Sequence, residues 1–211
     1  MAGDLFHRYP PKSWANFPWL LEVRCGGSPC FPWLLESGDA TFGGGGGIYG
    51  SGTIYNSSIF GTAFVSNGGG IYGGGTIYNS SIIGVAASGG GIYEGGTIYN
   101  SRVSGTAHDD GGGAIYAVVP LTINNSTFTG NQALAGNGGG IYNSSGTVTI
   151  TKCDLTGNSA SQNGGGIYNS SGSLTVTDST ILGNSAPFGA DIFLAGGTLT
   201  NNNSVIGIIG P

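Results

Sequence analysis

The sequence predicts an all-β fold, a parallel β-solenoid of about seven coils, and three observations carry that prediction. The word Gly-Gly-Gly-Ile-Tyr recurs with small variations. It places Tyr at 49, 72, 93, 116, 142 and 168 and Phe193 in the seventh position, at steps of 23, 21, 23, 26, 26 and 25 residues. A second word keeps pace with it: GTIYNSSIFG at 52–61, GTIYNSSIIG at 75–84, GTIYNSRVSG at 96–105, LTINNSTFTGN at 121–131, VTITKCDLTGN at 148–158, LTVTDSTILGN at 174–184 and GTLTNNNSVIG at 197–207. The third observation is composition: 45 of 211 residues are Gly, and Thr, Asn, Ser, Ile, Val and Tyr dominate the rest of the repeat, as strand formers or weak helix formers. Units of this length suit a β-solenoid or a leucine-rich repeat, and the leucine spacing of the latter is missing.

Residues 1–40 stand apart from the repeats that fill 41–211. They hold all three Trp, five of the eight Pro, Cys25 and Cys30, and their own duplication, FPWLLE at 17–22 and again at 31–36. An open solenoid end exposes strand edges and apolar side chains, so a Trp-rich segment can serve as a cap. A disordered stretch and an amphipathic partner-binding element are the other readings. Cys25 and Cys30 can close a small loop in an oxidising compartment, which leaves Cys153 over. Two thiols without nearby His make half a zinc site at best, and neither metal nor cofactor is expected.

Within each coil the strands follow from side-chain alternation. In VTIT and LTVT, Val148, Ile150, Leu174 and Val176 point one way and Thr149, Thr151, Thr175 and Thr177 the other, which puts the apolar set inside. The Ile before each Tyr or Phe, at 48, 71, 92, 115, 141, 167 and 192, forms a second inward file. Burial of one Ile contributes about 1.5–3 kcal/mol, and one coil has only a few such residues, so coils must stack, about 4.8 Å apart, to fold at all. Asn131, Asn158 and Asn184, each after Gly, fall at one turn of successive coils and are expected to form an amide ladder. The glycines before Ile supply the sharp corner.

Composition also excludes several functions. Only 7% of residues are charged and the net charge is −5, which leaves few cations for phosphates, so no nucleic-acid partner is expected. Low charge with 38% hydrophobic residues argues against a disordered chain, and the Gly runs lack the period of a collagen helix. The longest apolar runs, 114–121 and 205–209, fall far short of the roughly 18 residues that span a bilayer. Pro10, Pro11, Pro18 and Glu22 break up any signal-peptide core, so the chain is expected either to stay inside the cell or to continue upstream. No GKS or GKT follows the Gly runs, and the calcium nonapeptide is absent.

GGAIY at 112–116 followed by FTGN at 128–131 resembles the paired repeats of the polymorphic outer-membrane protein family, and the GGGIYN…GNSA units are similar to bacterial surface proteins with pectate-lyase-like, single-stranded right-handed parallel β-helices. The likeness is strongest over 112–207. Together with the right-handed preference of parallel crossovers, it sets the expected handedness. It implies a non-enzymatic, structural or adhesive module of a cell-surface or secreted protein, a monomer or part of a longer chain, with host-surface or extracellular glycans as partners. The alternative it implies is a polysaccharide lyase or hydrolase working through clustered carboxylates.

For that alternative the repeats offer Glu94, Asp109, Asp110, Asp154, Asp178 and Asp191, with Arg102, His108 and Lys152. The coil step places Asp178 over Lys152, an expected surface ion pair, and HDD at 108–110 reads as a solvated turn, so no catalytic residue is assigned. Sequons at Asn56, Asn79, Asn124, Asn125, Asn143, Asn169 and Asn202 follow from NSS and NNS being turn words. The candidate ligand contacts are outward columns: Tyr55, Tyr78 and Tyr99, flanked by Thr53, Thr76 and Thr97 in a threonine column that continues through 122, 149, 175 and 198. Aromatics at the coil spacing can carry sugar rings or stack on each other. Later coils replace Tyr with Thr as TIT, TVT and TLT, an array similar to the flat faces of ice-binding β-solenoids.

Overall fold

A computed structural model of the chain describes residues 33–39 and 45–211. The Cys25–Cys30 loop lies outside that description, and of the expected cap only residues 33–39 lie within it. All strand pairings are parallel, in sheets of 10 and 13 strands, and no helix occurs among the described residues. The fold is a right-handed parallel β-helix of about six turns. The seventh unit has all three of its strands, Ile192–Leu194, Thr198–Asn202 and Val205–Ile206, but a shortened return. After Val205–Ile206 the chain passes through Gly207 and Ile208 directly to Ile209–Gly210, which pairs with Ile192–Leu194.

One sheet, here the tyrosine sheet, carries the Ile-Tyr strands and the GTIY, TVTIT and SLTVT strands; the other, the serine sheet, begins each coil's second half at Ser57, Ser81, Arg102, Thr127, Asp154, Thr180 or Val205. The strand Trp33–Asp39 pairs with Ser57–Ala63, so the serine sheet begins one strand earlier than the Ile-Tyr words do.

The isoleucine file is continuous. Ile48, Ile71, Ile92, Ile115, Ile141, Ile167 and Ile192 lie partner to partner, all buried except the half-buried first member. A second file runs Ile54, Ile77, Ile98, Ile123, Ile150 and Val176, and a third, from the serine sheet, runs Ile59, Ile82, Val103, Phe128, Leu155 and Ile181. Phe128 is the largest side chain in this interior.

Glycine serves the corner in two ways. Gly138 has φ 65°, which a side chain strains, and a Cβ on Gly139 would fall on the Ser159 carbonyl oxygen, where the turn folds back on its own coil.

The polar corners are built as ladders, as the sequence predicts for Asn131, Asn158 and Asn184. Asn131 Nδ2 donates to Asn158 Oδ1 (2.7 Å) and Asn158 Nδ2 to Asn184 Oδ1 (2.9 Å), with the backbone N–H groups of Asn131 and Asn158 donating to the same oxygens. The last rung is made by Asp191. Its Oδ1 accepts from Asn184 Nδ2 (2.9 Å) and N (3.0 Å), and its Oδ2 accepts from Ile208 N (2.7 Å).

Candidate functional site

The outward columns of the tyrosine sheet are set by the same register as the core. Thr53, Thr76 and Thr97 are direct partners and half-buried, and Tyr55, Tyr78 and Tyr99 are direct partners two residues on. The Tyr rings stack at 4.8 and 5.0 Å, within 7° of parallel. Their faces therefore cover one another, and the ring edges and hydroxyls are what the file offers to a ligand.

A longer aromatic file lies beside it. Tyr49, Tyr72, Tyr93, Tyr116, Tyr142, Tyr168 and Phe193 stack without a break, at centroid spacings between 4.5 and 5.6 Å. Burial, then Tyr142, Asp110 and Tyr93, push the Tyr116 hydroxyl up to about 12, and burial also raises Tyr72 and Tyr168. These phenols stay neutral hydrogen-bonding groups at physiological pH. The sequence shows this file in the recurring Ile-Tyr word, but its position beside the Gly run gave no sign of an exposed face.

The threonine column continues through Thr122, Thr149 and Thr175 and ends at Thr200, not Thr198. The final unit is offset by two residues: Leu174 faces Leu199, which puts Thr198 opposite Ser173 and Asn202 opposite Thr177. Thr-x-Thr on the two main outward columns therefore occurs in two coils, at Thr149 and Thr151 and at Thr175 and Thr177.

One residue beyond the Tyr column the chain turns the corner on residues with positive φ: Asn56, Asn79, Asn100, Asn125, Lys152, Asp178 and Asn203, at 47 to 57°. Asn tolerates this region because its short amide bonds locally. The exposed amides form a second ladder, Asn79 to Asn56, Asn100 to Asn79 and Asn125 to Asn100, at 2.8–3.1 Å. Behind each sits a buried Ser whose Oγ accepts the neighbouring coil's backbone N–H and donates to its own chain two residues back, as Ser80 does to Tyr78 O at 2.7 Å. The Asn column opens on a polar groove of about 570 Å³ that also includes Ser58, Ser81, Arg102 and Thr127. The YNSS word carried this signal, and reading it only as a turn word missed the groove.

Cys153 occupies the serine position of the fifth coil, buried, with Sγ donating to Thr151 O at 3.1 Å. Burial pushes its thiol up to about 11, which keeps it protonated and unreactive.

The acidic candidates do not converge. Asp191 is buried in the Asn ladder, Asp178 accepts from Asn203 Nδ2 (2.8 Å), and Asp110 accepts from Ser88 Oγ (3.1 Å). Asp178 stacks above Lys152 as expected, but no ion pair forms between them; the carboxylate accepts from Asn203 Nδ2. HDD lies at the end of the strand Arg102–Gly111, with Asp109 and Asp110 exposed and the His108 ring 5.7 Å from Phe64. Glu94 holds φ 107°, where its partner in the previous coil is Gly73. Asn143 and Asn169 are buried and hydrogen-bonded to each other, so these two sequons are closed to modification in the fold. Among the described residues no three His, Cys, Asp or Glu side chains group as a metal site.

Compared with protein-family models, with curated proteins and with solved structures, the chain finds no match.

Proposed function

We propose that this chain is a non-enzymatic β-helix module of a cell-surface or secreted protein, related to the polymorphic outer-membrane type, whose outward columns contact glycans. The observation that carries this reading is the register of Tyr55, Tyr78 and Tyr99 beside Thr53, Thr76 and Thr97. It sets phenol edges and hydroxyls in rows at the coil spacing on a backbone that has no freedom to rearrange. A rigid face of this kind binds a repeating polymer without an ordering cost.

The neighbouring groove supports the same reading. Asn79 and Asn100 each use one N–H and one lone pair in the ladder, which leaves a donor and an acceptor toward solvent. Sugar hydroxyls are complementary to such a surface.

A glycan array probed with the intact chain tests the proposal. Retention of one or more extended glycans by the parent, reduced by Tyr78→Ala, is the expected result. An array that retains nothing would overturn it, and so would release of reducing sugar from a polysaccharide panel that disappears on replacing Asp109 and Asp110.

A further inference from the structure

We propose that the C-terminal half of the tyrosine sheet is an ice-binding face, a function separate from glycan contact at the N-terminal half. Three strands carry it: Thr147–Thr151, Ser173–Thr177 and Thr198–Asn202. They pair over five consecutive positions each with no shift of register. Their outward residues form a lattice of three by three: Thr147, Ser173 and Thr198 in one column, Thr149, Thr175 and Thr200 in the next, and Thr151, Thr177 and Asn202 in the third. Seven of the nine are Thr, and none is charged or aromatic.

Three properties point to ordered water as the occupant. The first is spacing: columns repeat about 4.8 Å along the solenoid and about 6.7 Å along the strand, two steps of roughly 3.3–3.4 Å. The repeat along the solenoid is close to that between water oxygens on a prism face of hexagonal ice, and the repeat along the strand falls about a tenth short of it. The second is the state of the hydroxyls. Ser173 Oγ donates to Thr147 and Asn202 Nδ2 to Thr177, both at 3.3 Å, whereas Thr149, Thr151, Thr175, Thr198 and Thr200 make no side-chain hydrogen bond among the described residues. Their bonding capacity is left for solvent. The third is the pairing of methyl and hydroxyl at the seven threonine sites, which holds water in a cage around the methyl while anchoring it at the oxygen.

The nearest charges do not interrupt this lattice. Lys152 and Asp178 lie one residue beyond the strand ends, at the corner with positive φ. The face is bounded on the other side of the fourth coil by exposed Val119 and Pro120, where the register shifts. Thr122 continues the middle column into that coil, but no flat row surrounds it.

Ice recrystallisation and thermal hysteresis measured on the whole chain test the proposal, with circular dichroism confirming that each variant folds. The parent is expected to arrest recrystallisation. Thr175→Lys and Thr149→Lys, in the middle column, are expected to abolish that effect, while Thr180→Lys, in the same coil as Thr175 but on the serine sheet, leaves it intact. A parent no more active than an inert globular protein at equal concentration overturns the inference, as does a folded Thr175→Lys with undiminished activity. Retention on crystalline chitin or cellulose through this face, with no effect on ice, also overturns it. Failure on ice leaves the glycan reading untouched, because Tyr78→Ala reads the N-terminal half and Thr175→Lys the C-terminal half.

Discussion

The first three coils and the next three solve one corner in different ways. In the shorter coils the corner position, inside the serine-sheet strand, is Gly61, Gly84 or Gly105, and the Gly runs of its own and the next coil come down directly on it: a Cβ at Gly84 would meet Gly70 N and Gly90 O. In the longer coils the corner is filled by the buried amides of Asn131, Asn158 and Asn184. The two systems meet where Gly105 N donates to Asn131 Oδ1 at 2.7 Å. The added length of the longer coils lies mainly between the Ile-Tyr strand and the threonine position, four residues from Tyr72 to Thr76 against seven from Tyr142 to Thr149, and the change of corner residue accompanies it, as does the change of the outward face from tyrosine to threonine.

The comparison breaks most severely at the buried amide. Asn158→Ala removes the acceptor for two N–H groups of Asn131, both inside the protein. At roughly 1–3 kcal/mol for each orphaned donor, a loss of about 4 kcal/mol is expected, read as a lower denaturant midpoint in urea. The glycine corner is next: Gly84→Ala places a methyl against backbone that has no room to move, for about 3 kcal/mol. Equal tolerance of alanine at both positions would show that neither filling of the corner is tightly packed.

Asp191 sharpens the same comparison. It stands where earlier coils have the third Gly of their word, and its carboxylate takes the place of an Asn that the final coil lacks. Asp191→Ala is expected to cost about 2 kcal/mol and to raise amide exchange selectively at Asn184 and Ile208. Uniform exchange across the chain would contradict a local cap.

Lys152 is an irregularity in the Asn corner column. At φ 54° a Lys is strained, and its replacement by Asn, the residue at five of the seven positions, is expected to raise stability by about 1 kcal/mol, seen as a higher Tm. The smallest effect belongs to Cys153→Ser, within about 0.5 kcal/mol at neutral pH because serine is the native residue of that ladder elsewhere. The pH dependence is more informative. The thiol is raised in the fold to about 11 from 9, so its contribution is complete below pH 9 and is lost as pH climbs through 11. Parent and variant should diverge only in that alkaline window.

The sequence made the fold readable because a stacked coil writes its contacts as repetition. Ile before Tyr, Val and Thr in alternation and Asn after Gly each name a column that the register confirms. It was less informative where the repeat fails. GADIF looks like a decayed copy of GGGIY, yet Asp191 there closes the ladder, and only the joint loss of Asn from the last unit pointed to it. Thr198 looked like the end of the threonine column because GTLT imitates GTIY, while strand pairing follows Leu199 and puts Thr200 there instead. Side-chain function was the hardest to read. A column of tyrosines is equally consistent with a sugar platform and with rings that cover each other, and the ring separations are needed to decide which surfaces remain free.

The seven-membered aromatic file has an optical consequence. Identical phenol transition dipoles about 5 Å apart, each rotated slightly from the last by sheet twist, couple as excitons. Near-ultraviolet ellipticity should then split into a signed couplet whose sense reports the screw of the stack and whose amplitude grows with the number of rings in line. Light can thus count how many turns remain wound.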